Sequence, residues 1–143
     1  MCGIVGIYRP QGAPVAMATL GAMAWAIRAR GPDGVGAALL AEGRLGLGQV
    51  RLALVDPAGG GQPVFNEDRT IAAVVNGEIY DHRAVRARLR GRGHRLRSEG
   101  DAELLVHLYE EEGLGCLEGI DGDFALLLWD GRVRRLIAAR DRV

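Results

Sequence analysis

The chain opens Met1-Cys2-Gly3-Ile4-Val5-Gly6-Ile7, and the fold and chemistry both turn on how that stretch is read. Ile4, Val5 and Ile7 supply β-branched bulk, and the glycines let another backbone pack closely. Residues 2–8 are therefore predicted to form a strand. Cys2 directly follows the initiator methionine. Removal of Met1 would leave a cysteine as the leading residue, with a thiol and a free α-amine on one carbon. α-Amines titrate near pH 8, so a terminal amine can take a proton from a neighbouring nucleophile, a known variant of nucleophilic catalysis. The competing reading is a small apolar residue near a terminus, and position alone does not separate the two.

Composition narrows the classes. A chain of 143 residues is long enough for one domain with a real core. Its 48% hydrophobic and 25% charged residues fit a soluble globular protein. Eighteen basic residues against 18 acidic ones leave zero formal net charge. The whole molecule lacks the bias of a nucleic-acid or membrane-surface binder. Two cysteines, Cys2 and Cys116, make no disulfide scaffold. There is no secretory signal pattern and no apolar run long enough to span a bilayer. The expectation is a cytoplasmic protein with neither nucleic acid nor membrane as partner. The sequence contains no lysine, which removes a lysine Schiff base and a phosphate-loop lysine.

Periodicity organises the remainder. Residues 16–30 read as a helix with Met17, Leu20, Met23, Ala24 and Ile27 on one face, ended by Gly31 and Pro32. Residues 36–40 and 44–55 read as strands joined by the turn Ala41-Glu42-Gly43. Residues 57–63 form a glycine-rich loop. Residues 71–75 are continuously apolar, a strand buried on both faces. Helices follow at 81–90 and 102–112, with Asp81 and Asp101 at their N-caps. A hairpin over 124–129 and 133–139 turns at Asp130-Gly131. Short connections between strands argue for antiparallel sheets rather than a doubly wound parallel one.

Several constellations carry chemistry. Asn76-Gly77-Glu78 is a strong turn signal after a buried strand. The same residues offer an asparagine amide and a glycine N–H to a developing oxyanion, with a carboxylate behind them. Arg51, inside an apolar strand, needs a partner: an internal carboxylate or a substrate carboxylate gripped bidentately. Asp101 can cap its helix and still present free lone pairs to a ligand. Seven arginines between Arg83 and Arg97 (Arg83, Arg86, Arg88, Arg90, Arg92, Arg95 and Arg97) read as a solvated helix face. No aromatics are interleaved for base stacking, and Glu110-Glu111-Glu112 balances the charge. His82, His94 and His107 have no metal-ligand spacing with Cys2 or Cys116. They read as surface or capping residues, so no metal site is expected.

In order along the chain stand Met1-Cys2-Gly3-Ile4-Val5-Gly6, Arg30-Gly31-Pro32-Asp33-Gly34, Leu47-Gly48 with Arg51-Leu52, Gly61-Gln62-Pro63, Asn76-Gly77-Glu78-Ile79-Tyr80, Gly100-Asp101-Ala102-Glu103, Asp121-Gly122-Asp123-Phe124-Ala125 and Ala139-Arg140-Asp141-Arg142. This series resembles the glutamine-hydrolysing domain of asparagine synthetase, a class II glutamine amidotransferase. The resemblance implies an α+β fold, the N-terminal-nucleophile hydrolase sandwich of four layers (αββα) with antiparallel sheets, here incomplete at its C-terminal end. It implies that Cys2 attacks the side-chain amide of L-glutamine and that Asn76 and Gly77 form the oxyanion hole. Arg51 would hold the substrate α-carboxylate, Leu52 to Val55 would line the pocket, and Glu78 and Asp101 would hold the α-ammonium.

The resemblance also sets expectations about organisation. Family members carry histidine where this chain has Gln49 and arginine where it has Val50, and the usual Ser-Asp-Thr-Glu is here Gly100-Asp101-Ala102-Glu103. The family continues through a Gly-x-Lys-Pro-Leu-Tyr-Tyr stretch into an ATP-dependent synthetase domain. Residues 1–143 are therefore expected to be the truncated amidotransferase domain alone. It would need no cofactor, with ATP and magnesium belonging to the missing synthetase domain. Its partner would be a synthetase domain or subunit that accepts ammonia; a homodimer is left open. The alternative expectation is an inactive remnant or an interaction module that needs a partner subunit.

Overall fold

A computed structural model describes residues 2–53 and 60–142. Two antiparallel sheets are stacked between helices. The first has the strand order β1 (Gly3–Tyr8), β3 (Leu45–Arg51), β2 (Gly34–Leu40). The second has the order β4 (Val64–Phe65), β5 (Ile71–Ile79), β6 (Gly122–Asp130), β7 (Arg135–Arg140). Helix α1 (Met17–Ala26) covers the outer face of the first sheet. Helices α2 (His82–Gly91) and α3 (Asp101–Glu112) cover the second. The expected αββα layering and the antiparallel pairing are both present.

The layers follow from alternation along β3 and β6, since successive side chains of a strand face opposite ways. In β3, Leu45 and Leu47 point to the second sheet, where they meet Val74 of β5 and Trp129 of β6. Gly46 and Gly48 point the other way and leave room for Leu20 of α1 to approach within ordinary packing distance. In β6, Phe124, Leu126 and Leu128 turn to the α3 side, together with Ile71, Ala73 and Val75 of β5. Leu127 and Trp129 turn to the first sheet. Each central strand is thus buried on both faces, and its side chains fix which layer each face meets.

Four expectations need correction at this level. The helix over 16–30 stops at Ala26 and is followed by a 3-10 turn, Arg28–Arg30. The change of geometry lets the Arg30 guanidinium turn back to the Cys2 carbonyl oxygen at 3.1 Å. The strand over 44–55 ends at Arg51, where the ladder to β1 and β2 ends; residues 54 and 55 lie outside the described residues. The strand over 71–75 runs on to Ile79. Asn76-Gly77 is therefore not a turn: Asn76 pairs with Ala125, Gly77 with Phe124 and Glu78 with Asp123. The pairing partner of β6 outweighs the local turn preference of Asn-Gly.

The fourth correction concerns the caps. Asp101 is the first residue of α3, with Gly100 at the cap position and no side-chain cap bond. Its carboxylate accepts the Ile79 N–H at 3.0 Å instead. Asp81 holds the cap position of α2 but caps nothing with its side chain.

Leu47 has no exposed surface and sits between the sheets. Leu47→Ala is expected to lower unfolding free energy by about 2–5 kcal/mol, measured by urea denaturation. A loss below about 1 kcal/mol would show that the sheets are not packed through this residue.

Candidate active site

The ends of β1, β3, β5 and β6 meet at a cleft of about 490 Å³ lined by Cys2, Arg51, Leu52, Asn76, Gly77, Glu78 and Asp101 among others. Cys2, Arg51, Leu52, Asn76, Gly77, Glu78 and Asp101 all line this one cleft, as the sequence led us to expect; Ala53 does not line it, and Leu54 and Val55 lie outside the described residues. Its volume suits a small-molecule ligand. Its walls carry both signs of charge: Arg51 and Arg140 on one hand, Glu78, Asp101, Asp123 and Asp141 on the other.

The Arg30-Gly31-Pro32-Asp33 segment positions the sulfur. Gly31 lies against the backbone of Val50 and Arg51, and a side chain there would overlap both. Pro32 bridges to Arg51, the Asp33 N–H donates to the Arg51 carbonyl oxygen at 2.9 Å, and the Asp33 carboxylate accepts the Ala53 N–H at 2.8 Å. These bonds hold Arg51, Leu52 and Ala53 just past the end of β3. The Leu52 N–H then donates to the Cys2 sulfur at 3.4 Å. Cys2 is half-buried, its carbonyl held by Arg30 and its sulfur by Leu52.

Gly77 faces the sulfur's end of the cleft from the other sheet. Its φ of +153° is one that side chains rarely adopt, and a methyl group there would overlap the Asp123 carbonyl oxygen and Phe124 Cα. Glycine is required for β5 to keep its register against β6 at this point. Asn76 and Gly77 are placed by Val75, whose N–H donates to the Gln62 side-chain oxygen at 2.6 Å. The Val75 carbonyl accepts the Gln62 and Gln49 amides, each at 3.0 Å. Gln49 lies on β3, so this carbonyl joins the two sheets one residue before Asn76.

The third wall is the segment Ser98-Glu99-Gly100-Asp101. Arg86 of α2 donates to the Ser98 carbonyl oxygen at 2.7 Å and the Gly100 carbonyl oxygen at 3.3 Å. Glu103 accepts the Arg97 and Ser98 N–H groups and the Ser98 hydroxyl at 2.7–2.8 Å. Tyr80, next to the cleft, has its hydroxyl pushed up to about 12 by its hydrogen bond to Asp123.

Sequence reading missed two of these contributors, Arg86 and Gln49, and misplaced one residue away from the cleft, His107. Arg86 is not part of a solvated face: it is buried and ties down the Asp101 segment, while the other six arginines of the run are exposed. Gln49 was noted only as a departure from the family pattern, yet it links the sheets. His107 is neither surface nor cap but 1% exposed. His94 is half-buried beside it, and only His82 behaves as expected, with a ring nitrogen 3.1 Å from the Ile79 carbonyl oxygen. An arginine at the α2 position flanked by Val85 and Leu89 was the available signal for Arg86, since those neighbours are buried.

Two antiparallel sheets stacked between helices, with a cysteine just before the first strand and an Asn-Gly pair of the second sheet lining one cleft, define an N-terminal-nucleophile hydrolase type of fold. The chain belongs to the glutamine amidotransferase domain family, whose model matches residues 1–143. It is similar to asparagine synthetase [glutamine-hydrolyzing] 3 of Arabidopsis thaliana, 46% identical over 117 residues that cover 82% of this chain and 20% of that protein. The corresponding enzyme of Triphysaria versicolor is 47% identical over 115 residues, 80% of this chain and 19% of that one. A rice paralogue, asparagine synthetase [glutamine-hydrolyzing] 2 of Oryza sativa subsp. japonica, is 38% identical over 144 residues, 100% of this chain and 24% of that one. The chain thus spans about a fifth to a quarter of the length of the curated relatives it matches. Among solved structures, a glutamine phosphoribosylpyrophosphate amidotransferase from B. subtilis shares the fold. Its TM-score is 0.57 at 23% identity, covering 69% of this chain and 23% of that one.

The two cysteines differ in exposure: Cys2 is half-buried and Cys116 buried. Cys116 is 3% exposed, and burial pushes its thiol up to about 11, so it holds almost no thiolate at neutral pH. Brief treatment of the native protein with iodoacetamide at pH 7.5 is expected to modify Cys2 and spare Cys116, read by peptide mass mapping. Preferential modification of Cys116 would contradict this placement.

Proposed function

We propose that this chain is the glutamine-hydrolysing half of an asparagine-synthetase-like amidotransferase. The observation that carries the reading is the meeting, in one cleft, of the Cys2 sulfur, the Asn76-Gly77 pair, a guanidinium and two carboxylates. Free glutamine is a zwitterion with an amide at its far end. Binding it needs a cationic grip, an anionic grip and a nucleophile beside an oxyanion site, and residues of each suitable type lining the cleft support this reading.

Arg51 takes the substrate α-carboxylate and Glu78 and Asp101 the α-ammonium, which sets the amide carbon against Cys2. The sulfur adds to that carbon after its proton passes to the α-amine of Cys2, freed by loss of Met1. The amide oxygen becomes an oxyanion held by the Asn76 side-chain N–H and the Gly77 N–H. Collapse breaks the C–N bond, and the α-ammonium returns the proton to the departing nitrogen, giving ammonia and a thioester. Water, deprotonated by the same amine, attacks the thioester and releases glutamate and the thiol. The ammonia serves a synthetase domain or subunit that amidates aspartate with ATP. That half of the reaction uses residues outside this chain.

Protein whose intact mass lacks Met1 is expected to convert glutamine to glutamate and ammonia in a coupled glutamate assay. Cys2→Ala should abolish turnover, and Asn76→Ala should lower kcat roughly 100- to 1,000-fold. Full activity in Cys2→Ala would reject Cys2 as the nucleophile, and full activity in protein retaining Met1 would reject its α-amine as the proton carrier. For the carboxylate grip, Arg51→Ala is expected to raise KM for glutamine roughly 10- to 100-fold. An unchanged KM would assign Arg51 a purely internal role.

A further inference from the structure

Away from the cleft, three segments far apart in sequence converge. Glu67 comes from the turn between β4 and β5, His94 from the connection between α2 and α3, and His107 and Glu110 from successive turns of α3. One donor atom from each lies within 4.8 Å of every other. None of the four lines the cleft.

The polar atoms here are oriented but incompletely satisfied. His107 is 1% exposed, and neither of its ring nitrogens has a hydrogen-bond partner; the same holds for Glu110 Oε2. Buried polar atoms left without partners cost about 1–3 kcal/mol each, so such atoms grouped in one place call for an occupant. Outer groups fix the ligand candidates from behind. The Asn66 amide donates to Glu110 Oε1 at 3.2 Å, which leaves Oε2 facing inward. The Arg95 N–H donates to Glu67 Oε1 at 2.9 Å, and Glu67 Oε2 lies 3.3 Å from His107 Nδ1. His94 Nε2 is 3.1 Å from Glu111 Oε1. With its proton on that side, His94 Nδ1 presents a lone pair toward Glu67 at 3.3 Å. A carboxylate behind an imidazole is the usual outer support of a metal-bound histidine.

The spacing also suits a small cation. Tetrahedral ligands at about 2.1 Å from an ion stand about 3.4 Å apart. His107 Nδ1 is 3.3 Å from Glu67 Oε2 and 4.0 Å from Glu110 Oε2. Two imidazoles with two carboxylates match first-row divalent ions of the zinc type.

We propose that Glu67, His94, His107 and Glu110 form a binding site for one divalent transition-metal ion of the zinc class. The ion would pin the β4–β5 turn and the α2–α3 connection to α3. Glu103, one helical turn before His107, holds the Arg97-Ser98 backbone, so the ion would also brace the segment that leads to Asp101.

The test uses the full chain carrying Cys2→Ala, to remove the accessible thiol as a competing ligand. After chelator treatment the protein is dialysed against limiting Zn²⁺ or Co²⁺. Retained metal is measured by mass spectrometry and the cobalt site by its visible absorption. One ion per chain is expected, with a tetrahedral or five-coordinate cobalt band and a higher Tm with zinc. His107→Gln and Glu110→Gln should each weaken binding by more than about 100-fold, while His82→Gln should not. If His107→Gln does not fold, Glu67→Gln and Glu110→Gln carry the same comparison. No retained ion, or binding that survives in the ligand variants, would overturn the site. The readout is bound metal rather than turnover, so its failure leaves the glutaminase reading standing.

Discussion

The Val75 carbonyl oxygen is the point on which the active cleft depends. It accepts one amide from Gln49 on the first sheet and another from Gln62 on the segment entering β4. Two stacked sheets held only by leucine and valine side chains would be free to slide, because apolar contact has little direction. Hydrogen bonds do have direction; the Gln49 bond is buried and the Gln62 bond half-buried, where an unmet carbonyl is costly. They fix β5 against β3 at the residue before Asn76. β3 in turn pairs with β1, with Gln49 opposite Ile4 and Val50 opposite Gly3. The distance between the Cys2 sulfur and the Asn-Gly pair is thus set by backbone pairing and one carbonyl rather than by a loop.

The loops around the cleft follow the same logic. Along the described border of the site, charged side chains take up backbone groups of neighbouring segments. Asp33 does this for Ala53, Arg86 for Ser98 and Gly100, Glu103 for Arg97 and Ser98, Asp101 for Ile79, and Asp141 for Phe124. Charge-assisted bonds of this kind are stronger than neutral ones. Several residues that look like ligands on paper therefore also hold the wall they belong to. Asp101 is an example: one oxygen is committed to Ile79, and the remaining lone pairs face the cleft.

Much of this was legible in the chain. The strand over 44–55, the continuous apolar run at 71–75 and the helix ended by Gly31 and Pro32 gave the main elements, because burial leaves its period in the sequence; the four layers came from the family resemblance. The ordered motifs gathered the cleft. What stayed hidden was set by partners distant in sequence. Asn76-Gly77 carries a turn signal, and only the presence of β6 alongside makes it a strand. Asp101 sits where a cap belongs, and only the nearby Ile79 N–H diverts its carboxylate. Arg86 looks like its six neighbours until Ser98 and Gly100 come within reach. His107 stands three residues from an acidic run, and only the β4–β5 turn, by bringing Glu67 over α3, makes the cluster visible.

Gln49 gives the sheet junction one further property. A histidine at this position, its ring titrating near neutrality, could gain a proton, lose its acceptor and add charge to a dry interior. A carboxamide has no such second state between the extremes of acid and base. The seam between the layers in this protein should therefore hold unchanged through shifts of acidity that would make a histidine there alternate between two forms.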